Sequence, residues 1–275
     1  MPTQAEKAAR FVELHRRDDV FVIPNPWDAA SARVLTHLGF EALATTSSGF
    51  ALQLGAADGA RAVDRATMLE NCREICAATP LPVNGDLENC YADDPREAAT
   101  TIPLAAEAGL VGCSIEDYSC NPSVGIYGFE HSVERVQAAV EAARALPFPF
   151  VLTARAENLI RNVKDLDDTI RRLKAYEAAG ADVLYAPGIA DVEMLRTVLA
   201  EITKPFNLLI GSGNAQLTVA DARAAGVRRI SVGGALARAA ASGFLAAARE
   251  IAELGTFRYG ASLLGGAALA PYRGG

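Results

Sequence analysis

The sequence predicts an α/β fold: a single closed (β/α)8 barrel of the TIM type. Eight short apolar segments alternate with helix-like segments along the 275 residues, and this alternation is typical of a parallel sheet covered by helices. Eight units in a chain of this length fit a closed barrel. A doubly wound open sheet would need a Gly-rich phosphate turn after its first strand, but Asn25-Pro26-Trp27 stands there instead.

The first half of the chain supplies four strand–helix units after a charged N-terminal helix. Glycine and proline mark the helix ends, since Gly39 follows the first of these helices and Gly109 follows another. The expected strands are Val20–Pro24, Ala42–Thr45, the stretch that begins at Pro82, and Val111–Ile115. The expected helices are 29–38, about 63–78, 95–107 and 132–145, and residues 46–49 are expected to form a polar loop.

The second half repeats the pattern without any change of composition that would mark a linker. Its expected strands are Phe150–Ala154, Val183–Ala186, Phe206–Ile210 and Arg229–Val232, and its expected helices are 165–179, 191–199, about 217–225 and 235–254. The tail from 255 to 275 is rich in Gly, Ala and Leu and carries few charges. We therefore expect one domain over 1–275, with a helical extension at about 235–275 that packs against a partner subunit.

Charge and composition argue against several classes of protein. The net charge is −7 and the pI is near 5.1, and the absence of a basic cluster predicts no nucleic-acid partner. No apolar run reaches membrane-spanning length, and residues 1–17 are too charged for a signal peptide, so the expected location is the cytoplasm. Five cysteines, an odd number, indicate no disulfide framework, and Cys72 and Cys76 are expected to be packing residues.

Two acidic residues, Asp86 and Glu88, end the third strand. Residues i and i+2 of an extended chain project to the same side, so these carboxylates should repel each other unless a cation lies between them. Mg²⁺, which prefers oxygen ligands, would relieve the repulsion. The alternative interpretation is a solvated turn, which Asp, Asn and Gly also favour.

Polar residues at other strand ends extend this acidic pair, and barrels of this type place their active sites there. Mg²⁺ held by Asp86, Glu88 and Glu116 would chelate a 2-oxo acid and stabilise its enolate. Arg155 would bind the same oxygens, or alternatively form a structural ion pair with Glu157 or Glu116. The whole set comprises Thr46, Ser47, Ser48, Gly49, Asp86, Glu88, Glu116, Asp117, Arg155, Glu157 and Asn207.

Several short motifs together resemble the isocitrate lyase/phosphoenolpyruvate mutase superfamily. The resemblance runs from about Asn25 to Leu236 and implies a (β/α)8 barrel that exchanges its last helix with a neighbour in a homodimer or homotetramer. It also implies Mg²⁺ as cofactor and small 2-oxo acids or 2-hydroxy diacids as substrates. The motifs are Ser48-Gly49-Phe50, Asp58, Gly85-Asp86-Leu87-Glu88, Ser114-Ile115-Glu116-Asp117 and Thr153-Ala154-Arg155-Ala156-Glu157.

The resemblance also implies roles for individual residues. Asp86 corresponds to the closest metal ligand, with Glu88 and Glu116 holding the ion directly or through water, and Glu88 stands where many relatives have Asp. The catalytic residues would be Arg155, Asp58 and Glu116. Together with Asn207, which the strand positions supply, the expected substrate contacts are Thr46, Ser48, Gly49, Phe50 and Arg155.

Departures from the family pattern narrow the expected function. Cys120 lacks the basic pair and the Gly-His that surround the acid/base Cys of the lyases, so we expect a spectator thiol. The loop has no gating Lys, although Asn121 can correspond to the gating Asn, and Gly188 replaces a lyase Glu. The three histidines (His15, His37 and His131) are expected to be surface, packing or capping residues.

These observations predict a Mg²⁺-dependent carbon–carbon lyase or decarboxylase acting on an oxaloacetate-, 2-oxoglutarate- or pyruvate-type 2-oxo acid through an enolate. Decarboxylation requires little acid/base machinery, which suits a site without the lyase Cys loop. Two alternatives remain open: cleavage of the P–C bond of a phosphonopyruvate-type substrate, and a non-catalytic 2-oxo acid binder.

Overall fold

Eight parallel strands form the centre of the computed structural model, which describes residues 1–273. They are β1 Phe21–Val22, β2 Leu43–Ala44, β3 Val83–Asp86, β4 Gly112–Glu116, β5 Val151–Arg155, β6 Val183–Tyr185, β7 Phe206–Leu209 and β8 Arg229–Ser231. The strand order is β1-β8-β7-β6-β5-β4-β3-β2, and a backbone hydrogen bond from Ala44 N to Pro24 O (3.1 Å) joins β2 to the segment that directly follows β1. The predicted (β/α)8 fold is confirmed.

Helices connect and surround the strands. They are α1 Gln4–Arg16, α2 Ala29–His37, α3 Ser47–Leu54, α4 Arg65–Ala77, α5 Pro95–Ala99, α6 Thr101–Glu107, α7 Phe129–Arg144, α8 Leu166–Ala178, α9 Val192–Leu199, α10 Val219–Ala225, α11 Ala235–Arg249 and α12 Gly266–Leu269. A π-helical turn, Glu250–Leu254, follows α11 directly. Most predicted helices are therefore present, with ends that differ by a few residues.

Two local predictions were wrong. Residues 46–49 are not a loop, because Thr46 is the N-cap of α3 and its hydroxyl accepts a hydrogen bond from Gly49 N (3.1 Å). The single helix expected over 95–107 is divided between α5 and α6. Pro103 explains the division, because it has no N–H to donate and its ring would clash with the carbonyl of Ala99 one turn earlier.

The N-terminal helix α1 closes the end of the barrel at which the strands begin. Its buried residues Phe11 and Leu14 belong to one apolar cluster with Val111, Val151 and Val183, which lie at the starts of β4, β5 and β6. The larger core lies between the strands and the outer helices. Closure at this end leaves the opposite end, where the strands finish, as the open mouth.

His15 of α1 is buried under the barrel, and we expect it to make stability depend on pH. Its Nδ1 donates to Phe11 O (2.7 Å) while Nε2 faces the guanidinium of Arg229, and burial lowers the pKa of the ring to about 3. Between pH 6.5 and about 3 the unfolded chain binds a proton that the folded chain does not bind. The free energy of unfolding therefore decreases as the pH is lowered through this window. At pH 5 this decrease in the free energy of unfolding is about 2 kcal/mol.

The matched variant is His15→Gln, in which the side chain has no proton to gain. Urea unfolding at pH 5 and pH 7 should show a smaller pH-dependent difference in His15→Gln than in the unchanged protein. Equal differences in the two proteins would contradict the assigned neutral state of His15.

The C-terminal extension leaves much apolar surface exposed. Ala237 is the single buried residue of α11, while Phe244 is 77% and Leu254 is 70% exposed. Packing against a partner subunit stays a prediction, which light scattering of the purified protein would test. The last two residues of the tail, 274 and 275, lie outside the described range. Among residues 1–273, no helix has both the length and the apolar character required to cross a membrane.

Candidate active site

A cavity of about 430 Å³ opens at the ends of the strands, on the side opposite α1. It lies where parallel barrels place their reactive groups. Nine of the candidate site residues line this cavity: Thr46, Ser47, Ser48, Asp58, Asp86, Glu88, Glu116, Arg155 and Glu157. Residues 46 and 48 belong to the N-terminus of α3, and the acids and Arg155 come from the ends of β3, β4 and β5 and from the loop that carries Asp58.

Asp86 is the most highly connected carboxylate in the cavity. Its Oδ2 accepts hydrogen bonds from Ser47 N (3.0 Å) and Ser47 Oγ (2.9 Å), and its Oδ1 binds a terminal nitrogen of Arg155 at 2.6 Å. Thr45 Oγ1 also accepts a hydrogen bond from Asp86 N (2.9 Å). These contacts fix the carboxylate at the junction of β2, β3 and β5.

Glu88 is held in a left-handed backbone conformation, with φ of 48°, which is uncommon for a residue with a side chain. Arg135 of α7 stabilises the strained loop, since its guanidinium donates to the carbonyl oxygens of Asn89, Ala92 and Asp93. Burial and the nearby charge of Asp86 raise the pKa of Glu88 to about 7. A cation that bound at Glu88 would therefore displace a proton from its carboxyl group.

Arg155 links three acids. Its guanidinium forms ion pairs with Asp86 (2.6 Å), Glu157 (2.7 Å) and Glu116 (3.1 Å) and lies 4.9 Å from the centre of the Tyr185 ring. Glu116 and Glu157 are buried, and burial together with Glu157 raises the pKa of Glu116. Both interpretations of Arg155 are thus compatible with the geometry, because the guanidinium forms ion pairs and also lines the cavity.

The cavity lining is acidic. Five carboxyl groups line it (Asp58, Asp86, Glu88, Glu116 and Glu157) together with three guanidinium groups (Arg155, Arg161 and Arg238). Loss of solvent and the charge of Asp86 raise the pKa of Asp58. When all eight groups are ionised, the lining therefore carries an excess of two negative charges, which a divalent cation would balance.

Three predicted substrate contacts lie outside this cavity lining. Gly49 is packed under α11, where an added Cβ would lie 2.6 Å from the Thr46 side chain and 3.1 Å from Ala237. Phe50 belongs to the apolar core. Asn207 lies inside the barrel, where its amide contacts Ser231 and Arg229.

The loop after β4 agrees with the expected departures from the lyases. Cys120 is buried with Sγ 3.4 Å from Glu88 Oε2, and burial together with Glu116 and Glu88 raises the pKa of its thiol. Asn121 accepts hydrogen bonds within its own loop, from the N–H and hydroxyl groups of Ser123. Gly188 has φ of 103°, and an added Cβ would lie within 3.0 Å of the backbone of residues 159 and 160.

Sequence reasoning missed several cavity residues, among them Arg161, Tyr185 and Arg238. Arg161 forms an ion pair with Glu157 (3.1 Å) and lies over the Tyr118 ring at 3.6 Å, and Tyr185 lies beside Arg155. Tyr185 lies at the end of β6, and this position alone could have predicted its place in the cavity. Arg161 follows a strand end by six residues, and no local pattern directs its side chain inward.

The donor set fits Mg²⁺ bound partly through water. Within residues 1–273, no three His, Cys, Asp or Glu side chains converge closely enough to form a complete metal cage, and Arg155 lies between Asp86 and Glu116. Mg²⁺ usually keeps several waters and binds through one or two carboxylates. Asp86 at the wall and Glu88 and Glu116 around it provide hard oxygen donors suited to that mode.

Comparisons with known proteins identify the family to which this chain belongs. A family model described as phosphoenolpyruvate phosphomutase matches residues 11–252. A solved structure from Burkholderia cenocepacia J2315, provisionally assigned as a lyase or mutase, has 50% identity and a TM-score of 0.94, with 98% of this chain and 96% of that chain covered.

Two further proteins have named activities. The structure of 2,3-dimethylmalate lyase, described as a member of the PEP mutase/isocitrate lyase superfamily, has 27% identity and a TM-score of 0.85 over 99% of this chain and 96% of that one. Oxaloacetate decarboxylase of Pseudomonas putida is 28% identical over 79% of this chain and 75% of its own length. From the family match and the fold, this chain belongs to the phosphoenolpyruvate mutase/isocitrate lyase superfamily.

Proposed function

We propose that this chain is a Mg²⁺-dependent enzyme that cleaves a C–C bond of a small 2-oxo acid through an enolate, with oxaloacetate as the first candidate. The supporting observation is that Asp86, Glu88 and Glu116 share one acidic cavity with the permanently charged Arg155. Relatives that are a lyase and a decarboxylase support a reaction of this class.

Asp86, Glu88 and Glu116 would hold the ion, which as a Lewis acid supplies stabilisation of the charge that develops on the ketone oxygen. Arg155 contributes a second positive group at the same wall, and its planar fork matches carboxylate and enolate oxygens. Ser48 lies in the first turn of α3, where the helix dipole favours an anion. The substrate carboxylate would therefore bind between Ser48 and Arg155.

The cavity provides few side chains that could transfer a proton. Gly188 offers no side chain, and the raised pKa of the Cys120 thiol makes it a poor base. Asp58, whose pKa is also raised, can carry a proton near the mouth. A decarboxylation fits this limited set, because CO₂ leaves without a base and the enolate requires one proton.

The deciding experiment uses purified full-length protein with oxaloacetate, in MgCl₂ and in excess chelator. We expect pyruvate formation above the metal-catalysed background with MgCl₂, and loss of that activity with chelator. Phosphate release from phosphonopyruvate without oxaloacetate turnover would instead assign P–C bond cleavage. Binding of 2-oxo acids in calorimetry with no turnover from a panel of 2-oxo and 2-hydroxy diacids would identify a non-catalytic binder.

A further inference from the structure

A second, smaller cavity of about 40 Å³ lies within the barrel next to the candidate active site. Asp86, Arg155 and Tyr185 line both cavities. Barrel interiors are usually filled by branched apolar side chains, but this lining is largely polar. Its polar members also include Asn25, Asn84, Ser114, Asn207, Arg229 and Ser231.

Arg229 at the start of β8 is a buried cation with neutral partners. It is 3% exposed, and its guanidinium contacts Asn207 Oδ1 (2.7 Å), Thr153 Oγ1 (3.0 Å) and His15 Nε2 (3.4 Å). No acid within residues 1–273 forms an ion pair with it, and burial lowers its pKa to about 9. An unpaired buried charge is costly to the folded state.

The two guanidinium groups that line the small cavity differ in their partners. Arg155 is paired with Asp86, Glu116 and Glu157, whereas Arg229, which also lines the small cavity, has no acidic partner within residues 1–273. A guanidinium has five N–H donors, and the three described contacts use three of them. Two donors therefore remain for a further acceptor.

We propose that the small cavity binds a monovalent anion of halide size, such as chloride, beside the guanidinium of Arg229. The one guanidinium without an acidic partner favours a monovalent anion over a divalent one. The volume also limits size, because a water requires about 10–15 Å³ of such space, and 40 Å³ accommodates a halide with one or two waters. The proposal does not depend on the proposed catalytic reaction.

Crystals of the full-length protein grown in sodium bromide test the site directly. We expect an anomalous bromine peak in the small cavity beside Arg229 of the unchanged protein. Asn207→Asp is the matched variant, since Asn207 already contacts Arg229 at 2.7 Å and a carboxylate there supplies the missing negative charge. The peak should disappear in Asn207→Asp, whereas water without an anomalous signal in the unchanged protein would overturn the proposal.

A solution measurement uses the same variant and does not need crystals. Replacing sodium gluconate by sodium bromide at constant ionic strength should raise the Tm of the unchanged protein. The expected shift is about 5 °C once bromide exceeds its Kd about a hundredfold. The shift should vanish in Asn207→Asp and, if that variant does not fold, in Arg229→Met. Equal shifts in the unchanged protein and the folded variant would refute binding at Arg229.

Discussion

Replacing Asp86 with asparagine is expected to lower kcat for oxaloacetate about a thousandfold. Asparagine has nearly the same shape but no charge, so the cavity would lose a carboxylate that we propose holds Mg²⁺. Lewis-acid stabilisation contributes several kcal/mol to such a transition state, and each 1.36 kcal/mol corresponds to about a tenfold change in rate. Steady-state kinetics and calorimetric titration with Mg²⁺ should show weaker metal binding and slower turnover together.

The fold should survive this change. Arg155 would still have Glu116 and Glu157 as partners, so we expect thermal unfolding close to that of the unchanged protein. Glu107→Gln is a suitable control, since Glu107 is an exposed acid at the end of α6. Unchanged turnover and Mg²⁺ affinity in Asp86→Asn would show that the metal is held elsewhere or is not needed.

Replacing Arg155 with methionine is expected to destabilise the protein by about 3–5 kcal/mol at pH 7, because it removes one partner of a buried ion-pair network and leaves Arg161 as the remaining cation near Glu116 and Glu157. Glu116 and Glu157 would each lose a close cation. Since the pKa of Glu116 is already raised by burial, protonation at lower pH should relieve part of the cost. The destabilisation measured by urea unfolding should therefore be smaller at pH 5 than at pH 7.

Arg155→Lys separates stability from function. Lysine retains the charge but not the planar fork, so we expect a smaller loss of stability and about a hundredfold loss of kcat, comparable to removal of one donor from a preorganised anion site. Arg10→Met, at an exposed residue, should change neither quantity appreciably. If Arg155→Met were as stable as the unchanged protein, the surrounding acids would have to be protonated at pH 7.

The helix at Thr46 illustrates how sequence and structure each contribute. The residue has a typical N-cap side chain, but the Thr-Ser-Ser-Gly composition also favours a loop, and local sequence alone did not distinguish the two. Packing against α11 explains the outcome, since Gly49 permits Ala237 to approach the first turn of α3. Contact between segments nearly 190 residues apart is not encoded in a local pattern.

The placement of Phe50 and Asn207 also depends on contacts between distant segments. Phe50, expected at the substrate from the family resemblance, lies on α3 and packs in the apolar core, whereas Asn207 lies on β7. The stagger of neighbouring strands determines how deep a side chain lies within a barrel. Asn207 pairs in register with Arg229 on β8 and faces the small inner cavity rather than the mouth.

The sequence by itself determined the barrel, the family and the strand ends at which Asp86, Glu88, Glu116 and Arg155 lie, because apolar alternation and strand termination are local properties and parallel strands end on one face. Only the tertiary structure decided how those groups pair, how Arg135 holds the strained loop at Glu88, and that Arg229 lies buried without an acid. Ion pairing and burial depend on distances between segments far apart in the chain, which only the closed barrel sets.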